Sequence, residues 1–319
     1  MNRLTLNNSD LSVFPIALGS TAFGCDISDE ETFAILDAYL EKGGNFIDTA
    51  NVYGSFKPGH KSESEKVIGR WMKARGNRGK IVLATKGAHF DVKTTEKRVN
   101  RAAIESDLAE SLTHLGVDEI DLYWLHRDDR SKTVAELIDT LEDAVKAGKI
   151  RYYGLSNWTC ERLAEALEYS KARSGRLIAS QIRWSLAVPS RKTLFPDDVI
   201  AMDSEINAFH KASGLVQIPY SSQAKGYFAK RATGAEVPEK LEGAYGNPES
   251  ERRFSALSEI SAKTGVSITA LSLVFFTQRP YQAIPIIGAK NLPHLNSSLE
   301  AVTAKLDDES LAVLRSFEY

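Results

Sequence analysis

Short apolar runs alternate with longer amphipathic stretches along most of the chain. Each short run is typical of a buried β-strand, whereas apolar side chains recur every three or four residues in the longer stretches, as they do in helices. The predicted strands cover residues 15–18, 45–49, 80–85, 119–125, 151–155, 177–182, 215–219 and 283–287. The predicted helices between the earlier strands cover residues 29–41, 63–75, 98–115, 133–147 and 159–172.

This alternation predicts the fold class. Strands that alternate with helices pair in parallel through crossover connections, and eight such strands close into a (β/α)8 TIM barrel. An open doubly wound sheet is the alternative, but no G-x-G-x-x-G turn follows the first strand. We therefore expect a single α/β barrel domain over residues 1–319.

Two segments depart from the simple repeat. Residues 4–14 have the pattern of a β-hairpin around an Asn-rich turn, which could plug the bottom of the barrel. The gap between the seventh and eighth strands is long, and we expect it to hold a loop over 225–250 and extra helices near 251–264 and 268–277. A loop of that length in a compact domain usually serves a site or is disordered.

Three helices carry a start signal in which Ser or Thr precedes Glu by three residues. This spacing is that of the capping box, in which the two side chains satisfy backbone amides of the first turn. The pairs are Ser28 with Glu31, Ser62 with Glu65, and Thr133 with Glu136.

Composition narrows the possible partners. The 319 residues carry a formal net charge of −2 with both signs interspersed, so no basic face favours nucleic acid. No apolar stretch approaches the ~20 residues that span a bilayer, and the first residues lack the apolar core of a signal peptide. Cysteine and histidine spacings match no metal site. We expect a cytoplasmic protein that binds no metal, membrane or nucleic acid, whereas the sequence does not give its oligomeric state.

Polar residues stand at the carboxyl end of seven predicted strands. A barrel enzyme places its chemistry at that end, because the loops that follow the strands meet there. Alone, each residue would have a structural explanation, such as a helix cap or a solvated charge. Together they predict a site, and they are Asp48, Lys86, His126, Ser156, Asn157, Gln181, the run Tyr220 to Ser222, and the run Gly288 to Lys290.

Four of the residues near these ends suit one reaction. Tyr53 follows Asp48 in the next loop, and a phenol is a poor acid because its ordinary pKa is ~10. A buried ammonium such as Lys86 would favour the phenolate, and Asp48 would supply the counter-ion of that ammonium. His126 could hold a carbonyl oxygen by a hydrogen bond. The four residues predict general-acid catalysis on an oxygen that gains charge.

Six dispersed motifs resemble those of the aldo-keto reductase family over essentially the full chain. They fall in the order and at the spacing of that family, which is more specific than any one of them. The motifs are GGNFIDTANVYG, ATKG, LHR, KAGKIRYYGLSNW, SQIRWS and IPIIGAKNLPHL.

The resemblance implies a barrel with a bottom hairpin that binds NADPH across its top and reduces an aldehyde or ketone. It implies a catalytic tetrad of Asp48, Tyr53, Lys86 and His126, in which hydride passes to the carbonyl carbon while Tyr53 protonates the carbonyl oxygen. The implied contacts of the nicotinamide are Ser156, Asn157, Gln181 and Tyr220. Those of the pyrophosphate are Ser221, Gln223, Lys225 and Gly226, and those of the adenosine phosphate are Gly288, Ala289, Lys290, Asn291, His294 and Ser298.

The chain departs from the family pattern at several positions. Ser222 and Gln223 stand where Pro and Leu are common, and Lys290 stands where Arg is frequent. His294 and Ser298 replace a common Gln and Asn, which affects the adenine contacts. The chain ends soon after its last helix, so we expect the short C-terminus of the bacterial-type branch and an open, tolerant pocket.

The residues expected around the substrate are less specific. They are Phe23, Phe90, Arg127, Trp158 and Trp184, with His89 and Asp128 beside them. Two other functions stay open at this point. One is a cofactor-binding regulatory or sensor subunit with little turnover, and the other is a phosphate-binding isomerase or an aldolase in which Lys86 forms a Schiff base.

Overall fold

The computed structural model describes residues 3–57, 59–190 and 199–317. Its main sheet has eight parallel strands in the order β10-β3-β4-β5-β6-β7-β8-β9, and β1 pairs with β2 in a separate antiparallel hairpin. The strands are β1 (Leu4–Thr5), β2 (Ser12–Val13), β3 (Ala17–Gly19), β4 (Phe46–Asp48), β5 (Val82–Gly87), β6 (Ile120–Leu125), β7 (Ile150–Ser156), β8 (Leu177–Gln181), β9 (Val216–Gln217) and β10 (Ile286–Gly288).

Backbone hydrogen bonds close the sheet between β9 and the residues that lead into β10. The amide of Gln217 donates to the carbonyl of Gln282 at 2.9 Å, and the amide of Ile284 donates to the carbonyl of Gln217 at 2.8 Å. One parallel bridge pairs Gln217 with Ala283 at the same place. The predicted (β/α)8 barrel is therefore confirmed.

The helices that follow the strands surround the barrel. They are α1 (Asp29–Glu41), α2 (Glu63–Arg75), α3 (Arg101–Leu115), α4 (Val134–Lys146), α5 (Cys160–Lys171), α6 (Ser204–Ser213), α7 (Tyr227–Thr233), α8 (Glu239–Tyr245), α9 (Pro248–Thr264), α10 (Ile268–Thr277), α11 (Leu292–Leu299) and α12 (Asp308–Ser316). The extra helices α9 and α10 match their predicted positions. No helix in the described ranges is by itself long and apolar enough to cross a membrane, and α9 and α10 meet that test only as a pair bent by 104°.

The prediction of a loop over 225–250 is wrong. Most of this segment folds as α7 and α8, because each helix buries apolar side chains against the outer core. Tyr227 and Phe228 of α7 are buried, and so are Leu241 and Tyr245 of α8. The Tyr227 and Tyr245 rings lie 5.6 Å apart between centroids. The many Gly, Lys and Glu residues of the segment concealed this short apolar pattern.

The three predicted capping boxes have different outcomes. Ser28 forms the full box with Glu31, and the side chain of Thr133 caps α4 by accepting from the amide of Glu136. Ser62 instead has left-handed backbone and makes no side-chain cap bond. Glu65 turns inward, where its carboxylate accepts a 2.6 Å hydrogen bond from the hydroxyl of Thr85. Because the Glu65 carboxylate makes this buried bond, it is not available to cap the backbone amide of Ser62.

The N-terminal hairpin lies across the amino-terminal ends of the barrel strands, as predicted. Its turn includes Asn8, which has a left-handed φ of 58°. Leu6, Leu11 and Val13 are buried and belong to the apolar cluster inside the barrel. The hairpin therefore closes the barrel at its bottom and leaves the opposite end as the open mouth.

Candidate active site

Three neighbouring strands each bring one polar side chain to the mouth of the barrel. Asp48 ends β4, Lys86 is the penultimate residue of β5, and His126 directly follows β6. All three side chains are buried. Adjacent parallel strands hold such residues at fixed separations, so this arrangement depends on sheet register rather than on loop conformation.

The ammonium of Lys86 is the centre of the site. It forms a salt bridge with Asp48, donates to the backbone carbonyl of Thr49 at 2.7 Å, and donates to the hydroxyl of Tyr53 at 3.3 Å. An ammonium has three N–H donors, and these three acceptors match them. Lys86 is thus fixed between a carboxylate and a phenol.

Burial and charge act in opposite directions on the Asp48–Lys86 pair. Burial alone would lower the pKa of Lys86, but the charge of Asp48 and the contact with Tyr53 raise that pKa above its ordinary value. Burial raises the pKa of Asp48, whereas Lys86 and a hydrogen bond from Gln181 oppose this increase. The side chain of Lys86 is therefore a charged ammonium at neutral pH.

A tight turn presents Tyr53 beside this ammonium. The amide of Tyr53 donates to the carbonyl of Ala50 at 3.0 Å. Gly54 follows with a φ of 89°, and a Cβ there would meet Glu63 at 2.8 Å. Glycine is needed at this position for both reasons. The phenol, unlike the other three side chains, is partly exposed to the mouth.

His126 forms the opposite side of the site from the ion pair. Its ring lies edge-on to that of Tyr53, with 5.9 Å between the centroids. Burial, together with the nearby His89, Arg127 and Lys86, holds the pKa of His126 well below its usual range. The ring is therefore neutral at physiological pH. Among the described residues its buried Nδ1 has no hydrogen-bond partner.

The residues predicted to contact a nicotinamide lie next to this cluster and are linked to it. The hydroxyl of Tyr220 donates to Asn157 Oδ1 at 2.9 Å, and Asn157 Nδ2 donates to Ser156 Oγ at 3.1 Å. Gln181 Nε2 donates to Asp48 Oδ1 at 3.2 Å. Asn157 has a left-handed φ of 63°, which directs the chain away from the strand end. These four side chains line one continuous wall with Asp48.

The loop after β9 has an unusual backbone. Ser221, Ala224, Lys225 and Gly226 all have positive φ, between 49° and 79°. Successive residues in turn and left-handed conformations point their amides to one side, which forms an anion-binding concavity.

Positive side chains surround the same loop. Burial lowers the pKa of Lys225, and the nearby cations Arg183 and Lys240 lower it further. The part of this shift that comes from Arg183 and Lys240 reflects positive charges close to one another, and an anion there would be stabilised. Arg183 was not predicted as a site residue, although it lies only two positions beyond Gln181 in the SQIRWS motif.

The segment after β10 forms the neighbouring part of the rim. Gln223 Nε2 donates to Ser298 Oγ at 3.0 Å, so this loop and α11 are joined. Asn291 caps α11 by accepting from the amide of His294. Gly288 and His294 are exposed and Ala289 is buried. Lys290 forms a salt bridge of 3.0 Å with Asp26, a residue that sequence reasoning did not select.

Aromatic rings line the mouth above His126. The ring of His89 lies 4.7 Å from that of His126 and 3.9 Å from that of Phe90, between centroids. The guanidinium of Arg127 lies 5.8 Å from the centre of the Phe90 ring. Phe56 lies 6.0 Å from His89 and is 62% exposed. Of these residues, Phe56 was missed because a single Phe in a polar loop carries no pattern.

Three residues predicted for the substrate pocket are almost fully buried. Phe23, Trp158 and Trp184 are at most 2% exposed and belong to the apolar clusters between the strands and the helices. The ring of Trp184 packs edge-on against Phe275 and Phe276 of α10, with centroid distances of 5.5 and 5.0 Å. Their large apolar surfaces are buried against helices, and their contact with a substrate stays a prediction.

Asp128, the remaining wall residue considered, also has a structural role. Its carboxylate pairs with Arg162 at 2.8 Å, and both side chains are largely buried. The guanidinium of Arg162 in turn lies 4.7 Å from the centre of the Trp158 ring. This arrangement joins the loop after β6 to α5 beside the site.

Sequence comparison agrees with the order of motifs and with this geometry. The profile of the Aldo/keto reductase family matches residues 15–318. The chain belongs to the aldo/keto reductase family. Members of this family are oxidoreductases that generally use NAD(P)H. The family assignment therefore supports carbonyl reduction by this chain.

Named relatives align over nearly the whole chain. Aryl-alcohol dehydrogenase [NADP(+)] of Phanerodontia chrysosporium is 30% identical over 95% of this chain and 82% of its own length. Norsolorinic acid reductase stcV of Emericella nidulans is 27% identical over 94% of this chain and 77% of its own length. Aldo-keto reductase ausK of Emericella nidulans is 28% identical over 98% and 80%, respectively.

Proposed function

We propose that this aldo/keto reductase uses NADPH to reduce aldehydes or ketones to alcohols, with Tyr53 as the general acid. The observation that carries the proposal is the buried ammonium of Lys86, which contacts both the Asp48 carboxylate and the Tyr53 hydroxyl. No simpler structural role requires a partly exposed phenol to be held on a buried ion pair.

Each of the four side chains has a distinct role in this scheme. Tyr53 gives its proton to the carbonyl oxygen as that oxygen gains charge. Lys86 stabilises the negative charge left on the phenol oxygen, and it can do so because Asp48 keeps the ammonium charged in a buried setting. His126 is neutral and can therefore donate a hydrogen bond to the carbonyl oxygen without adding a charge. When bound, the nicotinamide supplies the hydride.

The residues along the rim fit an extended dinucleotide. The left-handed backbone of Ser221, Ala224, Lys225 and Gly226 and the positive charge around Lys225 suit a pyrophosphate. Lys290, at the start of the α11 segment, is the residue that we assign to the 2′-phosphate of NADPH. Ser156, Asn157, Gln181 and Tyr220 would hold the nicotinamide, and the hydrogen bond from Gln181 to Asp48 would connect that contact to the tetrad.

We propose aromatic aldehydes as the best substrates. The rings of Phe56, His89 and Phe90 offer apolar faces and edges next to His126, and Arg127 adds a cation near the Phe90 ring. Aromatic ring pairs of this kind contribute about 0.5–1.5 kcal/mol beyond area burial. The name of the Phanerodontia relative, an aryl-alcohol dehydrogenase that uses NADP(+), supports the same substrate class.

The direct experiment is to measure NADPH oxidation with a panel of aromatic and aliphatic aldehydes and ketones. We expect Tyr53→Phe to lower kcat by about 10²- to 10⁴-fold, the usual contribution of general acid catalysis, while cofactor affinity stays within about twofold. Tyr169→Phe is a matched control, since that hydroxyl contacts Asp139 on the surface. A Tyr53→Phe enzyme that keeps more than about a tenth of wild-type turnover in the chemical step would contradict the assignment.

Experiments on the same purified protein distinguish the proposed function from the two alternatives, a Schiff-base enzyme and a sensor subunit. A Schiff-base enzyme needs a neutral amine, whereas Asp48 raises the pKa of Lys86. Borohydride should therefore trap no carbonyl substrate on Lys86. If the protein is a sensor subunit, the wild type would bind NADPH but would reduce none of the panel.

A further inference from the structure

Three loops at the barrel mouth meet at one small ion cluster. Asp26, in the loop after β3, accepts from Lys57 at 2.9 Å and from Lys290 at 3.0 Å. Lys57 belongs to the loop after β4, four positions beyond Tyr53, and it also donates to the carbonyl of Cys25 at 2.6 Å. The two ammonium groups thus converge on a single carboxylate.

This convergence leaves a net positive charge. Two cations share one anion, and both lysines lower the pKa of Asp26 by hydrogen bonds and by charge. A phosphate monoester carries about −1.5 to −2 charges and three acceptor oxygens, so it satisfies two ammonium groups better than one carboxylate does. The three side chains are 37% to 60% exposed, which leaves them free to change partners.

We propose that Lys57 and Lys290 together form the site of the cofactor's 2′-phosphate, and that Asp26 occupies this site in the free protein as an internal competitor. Lys57 is then a second phosphate ligand, and Asp26 is a specificity residue that weakens NADPH binding but not NADH binding. This inference rests on the proposed function, because it takes Lys290 as the 2′-phosphate contact.

The competition has a predictable size. Ion pairs between exposed side chains are weak, so removal of the carboxylate changes affinity by a limited factor. We expect Asp26→Asn to tighten NADPH binding about three- to tenfold and to change NADH binding by less than about twofold. We expect Lys57→Ala to weaken NADPH binding by a similar factor, again with little effect on NADH.

The test is equilibrium titration of wild type, Asp26→Asn and Lys57→Ala with NADPH and NADH by intrinsic fluorescence. Calorimetry with adenosine 2′,5′-bisphosphate and adenosine 5′-monophosphate isolates the phosphate from the nicotinamide. Asp29→Asn and Lys61→Ala are matched controls. Asp29 pairs with Arg70 and Lys61 pairs with Glu110, so each removes a similar surface charge without touching the cluster.

Several outcomes would overturn the inference. One is an Asp26→Asn protein whose preference for NADPH over NADH matches that of the Asp29→Asn control. Another is a Lys57→Ala protein that loses affinity for both cofactors equally, which would place Lys57 elsewhere on the dinucleotide.

Inorganic phosphate should compete with NADPH more than with NADH, and equal competition counts against the site. If wild type binds neither cofactor, the proposed function fails as well. If wild type reduces aldehydes with NADPH but neither variant shifts the preference, this inference alone fails.

Discussion

Replacement of Lys86 by Met should destabilise the protein and should do so in a pH-dependent way. The change removes the cationic partner of Asp48, which is 2% exposed and would keep the hydrogen bond from Gln181. Breaking a buried ion pair by removing one partner typically costs about 3–5 kcal/mol. Against a total of about 5–15 kcal/mol for a domain, this is a large fraction.

The pH dependence follows from the direction of the Asp48 pKa. Burial already raises it in the wild type, and Lys86 opposes that increase. Without Lys86, the folded-state pKa of Asp48 rises further above its unfolded value. Below the unfolded pKa, near 3.9, both states are protonated and the cost is small. The cost grows by up to about 1.4 kcal/mol per pH unit as pH rises, until pH passes the raised folded pKa.

Urea unfolding of wild type, Lys86→Met and the double variant Asp48→Asn with Lys86→Met at several pH values tests this reasoning. The double variant has no buried charge, so it should regain most of the lost stability and show no added pH slope. Both variants should lack reductase activity, since neither retains the ammonium. If Lys86→Met matched the wild-type free energy of unfolding across the whole pH range, the pair would not be a buried ion pair.

Three further predictions follow from the site and the barrel. Lys290→Ala should weaken NADPH binding by about three- to tenfold while leaving NADH binding nearly unchanged. Fluorescence titration would show equal losses for both cofactors if Lys290 held another part of the cofactor. His126 stays neutral because burial lowers its pKa, so the pH profiles of kcat/KM for wild type and His126→Gln should have the same shape near pH 6.5. An inflection there that is present in wild type and absent from the variant would refute this. Gly154→Ala should lower the free energy of unfolding by about 1–3 kcal/mol or more, because its Cβ would meet the Trp124 ring at 2.3 Å, and a wild-type urea midpoint would refute this.

The barrel and the central site residues could be predicted because both depend on strand periodicity. Asp48, Lys86 and His126 stand at strand ends, and neighbouring parallel strands bring such positions together whatever the loops do. The N-terminal hairpin was predictable for the same reason, since alternating apolar residues flank a turn. These features follow from local pattern and from the register of the sheet.

Residues whose role depends on loop conformation could not be predicted in this way. Asp26 and Lys57 meet because two separate loops fold toward each other, and neither lies in a periodic pattern. The packing of Trp184 against α10 could not be predicted, because an aromatic residue after a strand does not reveal which side of the sheet it faces. Ser62 matched a capping spacing, but the buried bond between Glu65 and Thr85 decided the local structure.

The unequal burial of the tetrad has an evolutionary consequence. Asp48 and Lys86 are buried and stabilise each other, so loss of either one harms folding as well as chemistry. Tyr53 is partly exposed on a turn, where loss of its hydroxyl leaves the Asp48–Lys86 ion pair in place. Under the proposed mechanism, a single change at Tyr53 would remove the general acid and leave the buried ion pair and the barrel in place. One substitution at Tyr53 would thus be enough to turn such a reductase into a binding protein, whereas a change at the ion pair would also destabilise the fold and be selected against.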